Sequence, residues 1–175
     1  VKKFGTSTVD IINDVVTASN GDAIVVGSAG NNDGDAEGSG GKANESKAVI
    51  MRYSDSGKLL WKEFAGGNMD TFSGVAEGTD GSIYALGNFY SGKLFPALGK
   101  CDSGVVKHTA DGKMVKKTSI AGSGIDDFKG ITATSDGGIV VCGASDSSDT
   151  NKDSFFKDDL ASRGGYDSYI IKYTN

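Results

Sequence analysis

Carboxylates alternate with small residues in one polar stretch, SAGNNDGDAEGSGGKANESK, residues 28–47. Asn31, Asp33, Asp35 and Glu37 stand at every second position there, the kind of oxygen-ligand run that can wrap a calcium ion. The residue order of a helix-flanked calcium loop is absent, and no glutamate closes the run at its twelfth position. A solvated loop is therefore the competing reading, and calcium is the one cofactor the stretch suggests. A second acidic stretch, 144–168, carries Asp146, Asp149, Asp153, Asp158 and Asp159. Between the two, residues 88–103 hold a single carboxylate, Asp102, and offer Phe89, Tyr90 and Phe95 instead. Phe155, Phe156 and Tyr166 extend that set. Aromatic rings on loops can stack on sugars or anchor a protein partner; the alternative is that they tuck over the ends of the neighbouring strands.

Catalytic signatures are scarce. The single histidine, His108, occupies a place that tyrosine holds in related segments, which makes it a strand side chain before it is a base. Cys101 has no histidine near it in sequence, and Cys142 stands where Val26 and Leu86 stand in the other copies described below. No HExxH, CxxC, GxSxG or phosphate-loop pattern occurs. Aspartate is plentiful, so a two-carboxylate glycoside hydrolase is an alternative, but no pair is singled out. The net charge of −5 and pI near 4.8 argue against nucleic acid, which needs a basic face, and against an anionic membrane surface. No apolar run approaches the ~20 residues of a membrane helix. The chain opens on Val-Lys-Lys without a signal-peptide apolar core and without methionine, which points to a processed or excised segment. Two cysteines are too few for a disulfide framework. Asn44-Glu45-Ser46 is a glycosylation sequon that short polar stretches produce by chance.

What positions these residues is a repeat. DIINDVVTASNGDAIVVG (10–27), DTFSGVAEGTDGSIYALG (70–87) and DDFKGITATSDGGIVVCG (126–143) align without gaps. Asp10, Asp70 and Asp126 each stand 11 residues before Gly21, Gly81 and Gly137, at periods of 60 and 56. A variable insertion follows each copy, then an apolar run with a basic residue: AVIMRYSDSGK (48–58), GVVKHTADGK (104–113) and YIIKYTN (169–175). A fourth run follows as LLWKEFAGG (59–67) and MVKKTSIAG (114–122), and its third copy stands at the other end of the chain as VKKFG (1–5).

Each unit therefore reads as four strands. The first two are joined by Asn-Gly or Asp-Gly, the strongest short hairpin signal, and the last two by SDSG or ADG. With 27 glycines and one proline, tight turns recur too often for helices. The second and third strands are almost continuously apolar, so both of their faces should be covered. Four-stranded antiparallel units repeated at this period indicate an all-β fold of β-propeller blades. The units resemble the bacterial β-propeller repeats of secreted and cell-surface proteins. The residues that carry the resemblance are D-x-F…T-x-D-G-G-I-V-V-x-G, best kept at 126–143, and Y-I-I-K-Y at 169–173. Trp61 resembles a tryptophan of that family's outer strand; Lys2 or Lys3 and Lys116 or Lys117 stand near its place in the other copies, which is a departure.

The expected domain is a single half-propeller over 1–175, with repeats near 6–66, 67–122 and 123–175. Strand 1–5 is expected to close the last blade. Three blades fall short of the ~4 a ring needs, which points to a homodimer forming a six-bladed ring or to further blades of a longer chain. The long connections 28–47, 88–103 and 144–168 share one face, where binding is expected. Asp10, Asp70 and Asp126 lie on that face near the central axis, as turn-fixing carboxylates. The expected function is a non-enzymatic binding or scaffold module of an exported bacterial protein, extracellular or at the cell surface, taking a glycan or a protein. A purely structural, ring-forming module is the alternative.

Overall fold

In a computed structural model the chain is all β, and residues 1–40, 42–148, 155–156 and 160–174 are described. Asp149, Asp153, Asp158 and Asp159 of the second acidic stretch lie outside the described residues. The strands are β1 (Ile11–Thr17), β2 (Ala23–Ala29), β3 (Lys47–Tyr53), β4 (Leu59–Ala65), β5 (Thr71–Glu77), β6 (Ile83–Phe89), β7 (Asp102–His108), β8 (Met114–Ile120), β9 (Asp126–Ala133), β10 (Ile139–Ser145) and β11 (Asp167–Tyr173). They form three antiparallel sheets, ordered β1-β2-β3-β4, β5-β6-β7-β8 and β9-β10-β11. No helix among the described residues is long and apolar enough to cross a membrane.

Each sheet is a meander, whose outer hairpins are closed by tight turns and whose two inner strands are joined by a long connection. At the first turn Gly21 N–H donates to Ala18 O (2.9 Å) and Ala18 N–H to Asp22 O (2.7 Å). Only the glycine is left-handed, at φ 89°, so this is a type I turn followed by a left-handed glycine rather than a two-residue loop. The same pair of bonds recurs at Gly57, Gly81, Gly112 and Gly137, all at positive φ. The Asn-Gly and Asp-Gly pairs thus mark the hairpins, with the side chain before glycine in an ordinary conformation.

A second device recurs in the first strands. β1, β5 and β9 each carry a bulge, at Ile12/Asp14, Phe72/Gly74 and opposite Cys142/Gly143. The bulge turns the strand across the end of its neighbour, and the residue beneath it is always glycine: Gly27, Gly87 or Gly143.

The sheets pack face to face in chain order, with β5 against β1–β3 and β9 against β5–β7. Ile24, Val26 and Ile50 of the first sheet meet Phe72, Val75, Ile83 and Val106 of the second. Tyr84, Leu86 and Val105 then meet Phe128, Ile139 and Val141 of the third. These are equivalent repeat positions, so one interface is made twice. Expected coverage on both faces therefore holds for the middle sheet and fails at the ends, where Ile12, Val15 and Ile170 are exposed.

Residues 1–5 form no strand, and among the described residues the third sheet has three strands with β11 at its edge. The opening segment instead lies on the first sheet. Asp35 N–H donates to Gly5 O (3.0 Å), and Gly5 N–H donates to an Asp35 carboxylate oxygen (2.9 Å). Closure of the last sheet by 1–5 is thus not made within the chain, because the two lie at opposite ends of the stack.

Candidate functional site: a polar cleft between the first strands

The recurrent aspartates anchor the edge along which β1, β5 and β9 run beside one another. Asp10 accepts from Thr6 N–H (2.6 Å) and Gly30 N–H (2.9 Å). Asp70 accepts from Gly67 N–H (2.7 Å), Tyr90 N–H (2.7 Å) and Ser91 N–H (3.0 Å). Asp126 accepts from Gly122 N–H (2.6 Å), Ser145 Oγ (2.5 Å) and Ser147 Oγ (2.8 Å). Each carboxylate ties the segment entering its sheet to the end of the second strand, which fixes where the long connection departs.

Asp126 and Asp102 are both buried beneath this edge. Asp102 accepts from Leu98 N–H at 2.9 Å through one oxygen, while its other oxygen has no hydrogen-bond partner among the described residues. Burial pushes the Asp102 carboxyl above its ordinary range, and burial, reinforced by the Asp102 charge, pushes Asp126 up to about 6. Neither carboxyl can reach a glycosidic oxygen, so this pair does not supply the two-carboxylate hydrolase chemistry. It does make a stability prediction. Asp126 keeps its proton in the folded state up to pH near 6 but loses it near ~3.9 when unfolded. Stability from this group is full below pH ~4 and falls as pH rises to ~6, by at most about 3 kcal/mol. Asp126→Asn cannot ionise, so the variant should lack this group's share of the fall and keep only that of Asp102, whose carboxyl is also raised. Asp22, Asp33 and Asp80 are held below the ordinary range by hydrogen bonds, and their losses come at still lower pH. Urea titrations of both proteins between pH 4 and 7 check this, and parallel curves would sink the assignment.

Above the buried pair lies a cleft of about 530 Å³ lined by Asn13, Thr71, Ser73, Asn88, Tyr90, Asp127 and Lys129. All three sheets contribute. Asn13 Nδ2 donates to Thr71 Oγ1 (3.0 Å) and Phe72 O (2.7 Å), and Ser73 Oγ donates to Phe128 O (2.9 Å). Asp127 accepts from Asn88 Nδ2 (2.6 Å) and pairs with Lys129 Nζ at 3.0 Å. Tyr90 is 46% exposed at the rim. Its hydroxyl is pushed up to about 12, first by a hydrogen bond to Cys101 and then by burial. The cleft thus offers hydroxyl, amide, carboxylate and ammonium groups around one aromatic ring, a set suited to a polar ligand.

The other sequence-derived candidates scatter. Phe89 and Phe95 are buried in the core between the first two sheets, their rings 4.8 Å apart. Phe156 is buried between the second and third sheets against Phe128 and Tyr169, with Phe155 packed beside it. Phe89, Phe95 and Phe156 are thus buried between the sheets rather than presented for stacking, and Phe155 is half-buried beside Phe156. Tyr90 and Tyr166 are exposed. Asn31, Asp33 and Asp35 bind the opening segment. Asp33 accepts from Ser7 N–H (2.8 Å), Ser7 Oγ (2.5 Å) and Asn31 Nδ2 (3.0 Å), while Glu37 is exposed. Among the described residues no group of three or more His, Cys, Asp or Glu side chains is placed to hold a metal.

His108 is fully buried between the first two sheets, with Nε2 3.3 Å from Glu63 Oε2 and its ring edge-on to Phe72. Cys142, read from the sequence as a small apolar strand residue, is exposed on β10. The cleft residues Asn13, Ser73 and Lys129 hold one repeat position, three after the recurrent aspartate, but the positions on either side vary too, so no local signal marks them. Neither a scan of known protein families nor a search of curated proteins matches this chain.

Proposed function

We propose that the chain is part of a β-propeller and serves as a non-enzymatic binding module of an exported bacterial surface protein. The ligand sits over the cleft between the first strands. The single observation that carries this is that cleft, to which all three sheets contribute polar side chains at one repeat position, with Tyr90 at its rim. The propeller reading is supported by the twice-made sheet interface and by the resemblance of 126–143 and 169–173 to such repeats. A glycan is the favoured ligand class, because hydroxyl-rich rings match a donor–acceptor set beside one aromatic face. An array of bacterial and host oligosaccharides should retain the wild-type protein. Tyr90→Ala at an exposed position and Asp127→Ala at a half-buried one, each checked for folding by far-UV circular dichroism, should weaken the best signal at least ~10-fold, a loss of ~1.4 kcal/mol. Binding that is equal in both variants would move the site elsewhere, and no retained glycan would sink the glycan reading.

A second reading, a module whose role is assembly, is favoured by the two open sheet faces at the ends of the stack. It does not exclude the first.

A further inference from the structure

The interface between neighbouring sheets is built twice inside the chain, and its two halves are left over at the ends. On the donor side stand Ile24, Val26 and Ile50 in the first sheet and Tyr84, Leu86 and Val105 in the second. The same repeat positions in the third sheet are Val140, Cys142 and Ile170. Among the described residues Cys142 is exposed, Ile170 is 82% exposed and Val140 is half-buried. On the acceptor side stand Phe72 and Val75 in the second sheet and Phe128 and Ile131 in the third. Their equivalents in the first sheet are Ile12 and Val15, 48% and 58% exposed.

Polar latches follow the same register. Asn13 donates to Phe72 O and Ser73 to Phe128 O. Lys129 is the next residue in that series, and it pairs with Asp127 of its own strand. The acceptor that would continue the series is the carbonyl of Ile12.

The opening segment completes the pattern. Trp61 of β4 covers Gly112 in the last turn of the second sheet and donates from Nε1 to Ala110 O at 3.1 Å. Lys2 covers Gly57, the equivalent turn of the first sheet. Residues 1–5 therefore lie on the first sheet where the fourth strand of a preceding sheet would lie. Among the described residues the third sheet has the converse vacancy, a free edge on β11.

We infer that two copies of this chain join head to tail, the third sheet of each packing on the first sheet of the other. Residues 1–5 of each copy become the fourth strand beside β11 of its partner. Both contacts are the same heterologous interface, so two of them close a ring of six sheets. A second copy is the occupant because the interface already exists twice in one chain, and another chain carrying the same repeat supplies both halves in register. This rests on the propeller reading above and is independent of any ligand.

Light scattering on the eluting protein tests it. The expected mass is near twice the 18.0 kDa of one chain. Ile170→Lys and Val15→Lys change exposed residues on opposite faces, so each variant should stay folded and run as a monomer. Their mixture should recover a dimer through the one intact interface, at least ~10-fold weaker than wild type. Deletion of residues 1–5 should also weaken the dimer at least ~10-fold. Alkylation of Cys142 should slow at least ~10-fold as wild type is concentrated from monomer to dimer. A wild-type monomer at millimolar concentration would overturn the proposal. So would a dimer that survives in either lysine variant alone, since that contact would join like faces, or a mass that climbs without limit, since the ring would not close. A glycan bound by a strict monomer would leave the proposed binding site standing while the assembly fell.

Discussion

Phe72→Ala should destabilise the protein by about 3–5 kcal/mol, the range for removing a buried phenylalanine from a packed core. Phe72 is fully buried on the second sheet. Its ring meets Phe89 edge-on at 6.0 Å and the His108 ring at 6.4 Å. The surrounding cavity cannot collapse easily, because it is walled by strands of two sheets rather than by loops. Its main-chain oxygen also receives the Asn13 latch, so the lost ring loosens the strand that couples the sheets. The measurement is a urea denaturation midpoint with an unchanged slope. Ile12→Ala provides the contrast at the equivalent position of the first sheet, where the side chain is 48% exposed; in a monomer it should cost under ~1 kcal/mol. Equal losses at the two positions would show that the sheet interface is not where the stability resides.

Gly87→Ala should cost about 3 kcal/mol, at the upper end of the overpacking range. A Cβ at Gly87 would stand 2.5 Å from Thr71 O, 2.8 Å from the Phe89 ring and 3.0 Å from the Phe72 ring. The nearest atom is backbone of the bulged strand, so relief requires moving β5, which is packed between two sheets. Gly81→Ala isolates the cause. Its backbone is left-handed at φ 75°, and an added Cβ there meets nothing within 4 Å. It should cost only the conformational penalty of about 1–2 kcal/mol. Thermal melts of the pair decide the matter: if Gly81→Ala is the more damaging, the close approach under the bulge is not what demands glycine at the end of the second strand.

The two glycines also separate what each level of information carries. The repeat, its four-strand unit, the turn positions and the recurrent aspartates were legible from the sequence because each depends on residues near one another in the chain. Turn glycine is needed for a local dihedral, and apolar runs reflect a strand's own burial. The pairing of first strand with second and of third with fourth followed, since turns this short join only adjacent antiparallel strands; the second and third, joined by long connections, were paired by the fold. Gly87 was visible as a recurrent letter but not as a contact, because the bulge that crowds it is a matter of register between strands.

The cleft and the fate of the aromatics were decided by tertiary structure. Asn13 meets Thr71 across 58 residues of chain, and nothing in its own neighbourhood marks it. Phe89, Phe95 and Phe156 stand in or beside polar, glycine-rich connections, which reads as exposure. The stacking of sheets leaves apolar gaps at their ends, and these rings fill them. Asp33 and Asp35 likewise had the spacing of metal ligands until the fold brought Gly5 and Ser7 against them. Local sequence determined the unit and its turns, because short-range sterics and hydrogen bonds act within one unit. Which side chains meet between units, and so which surface is left to bind, was decided only by how the sheets stack.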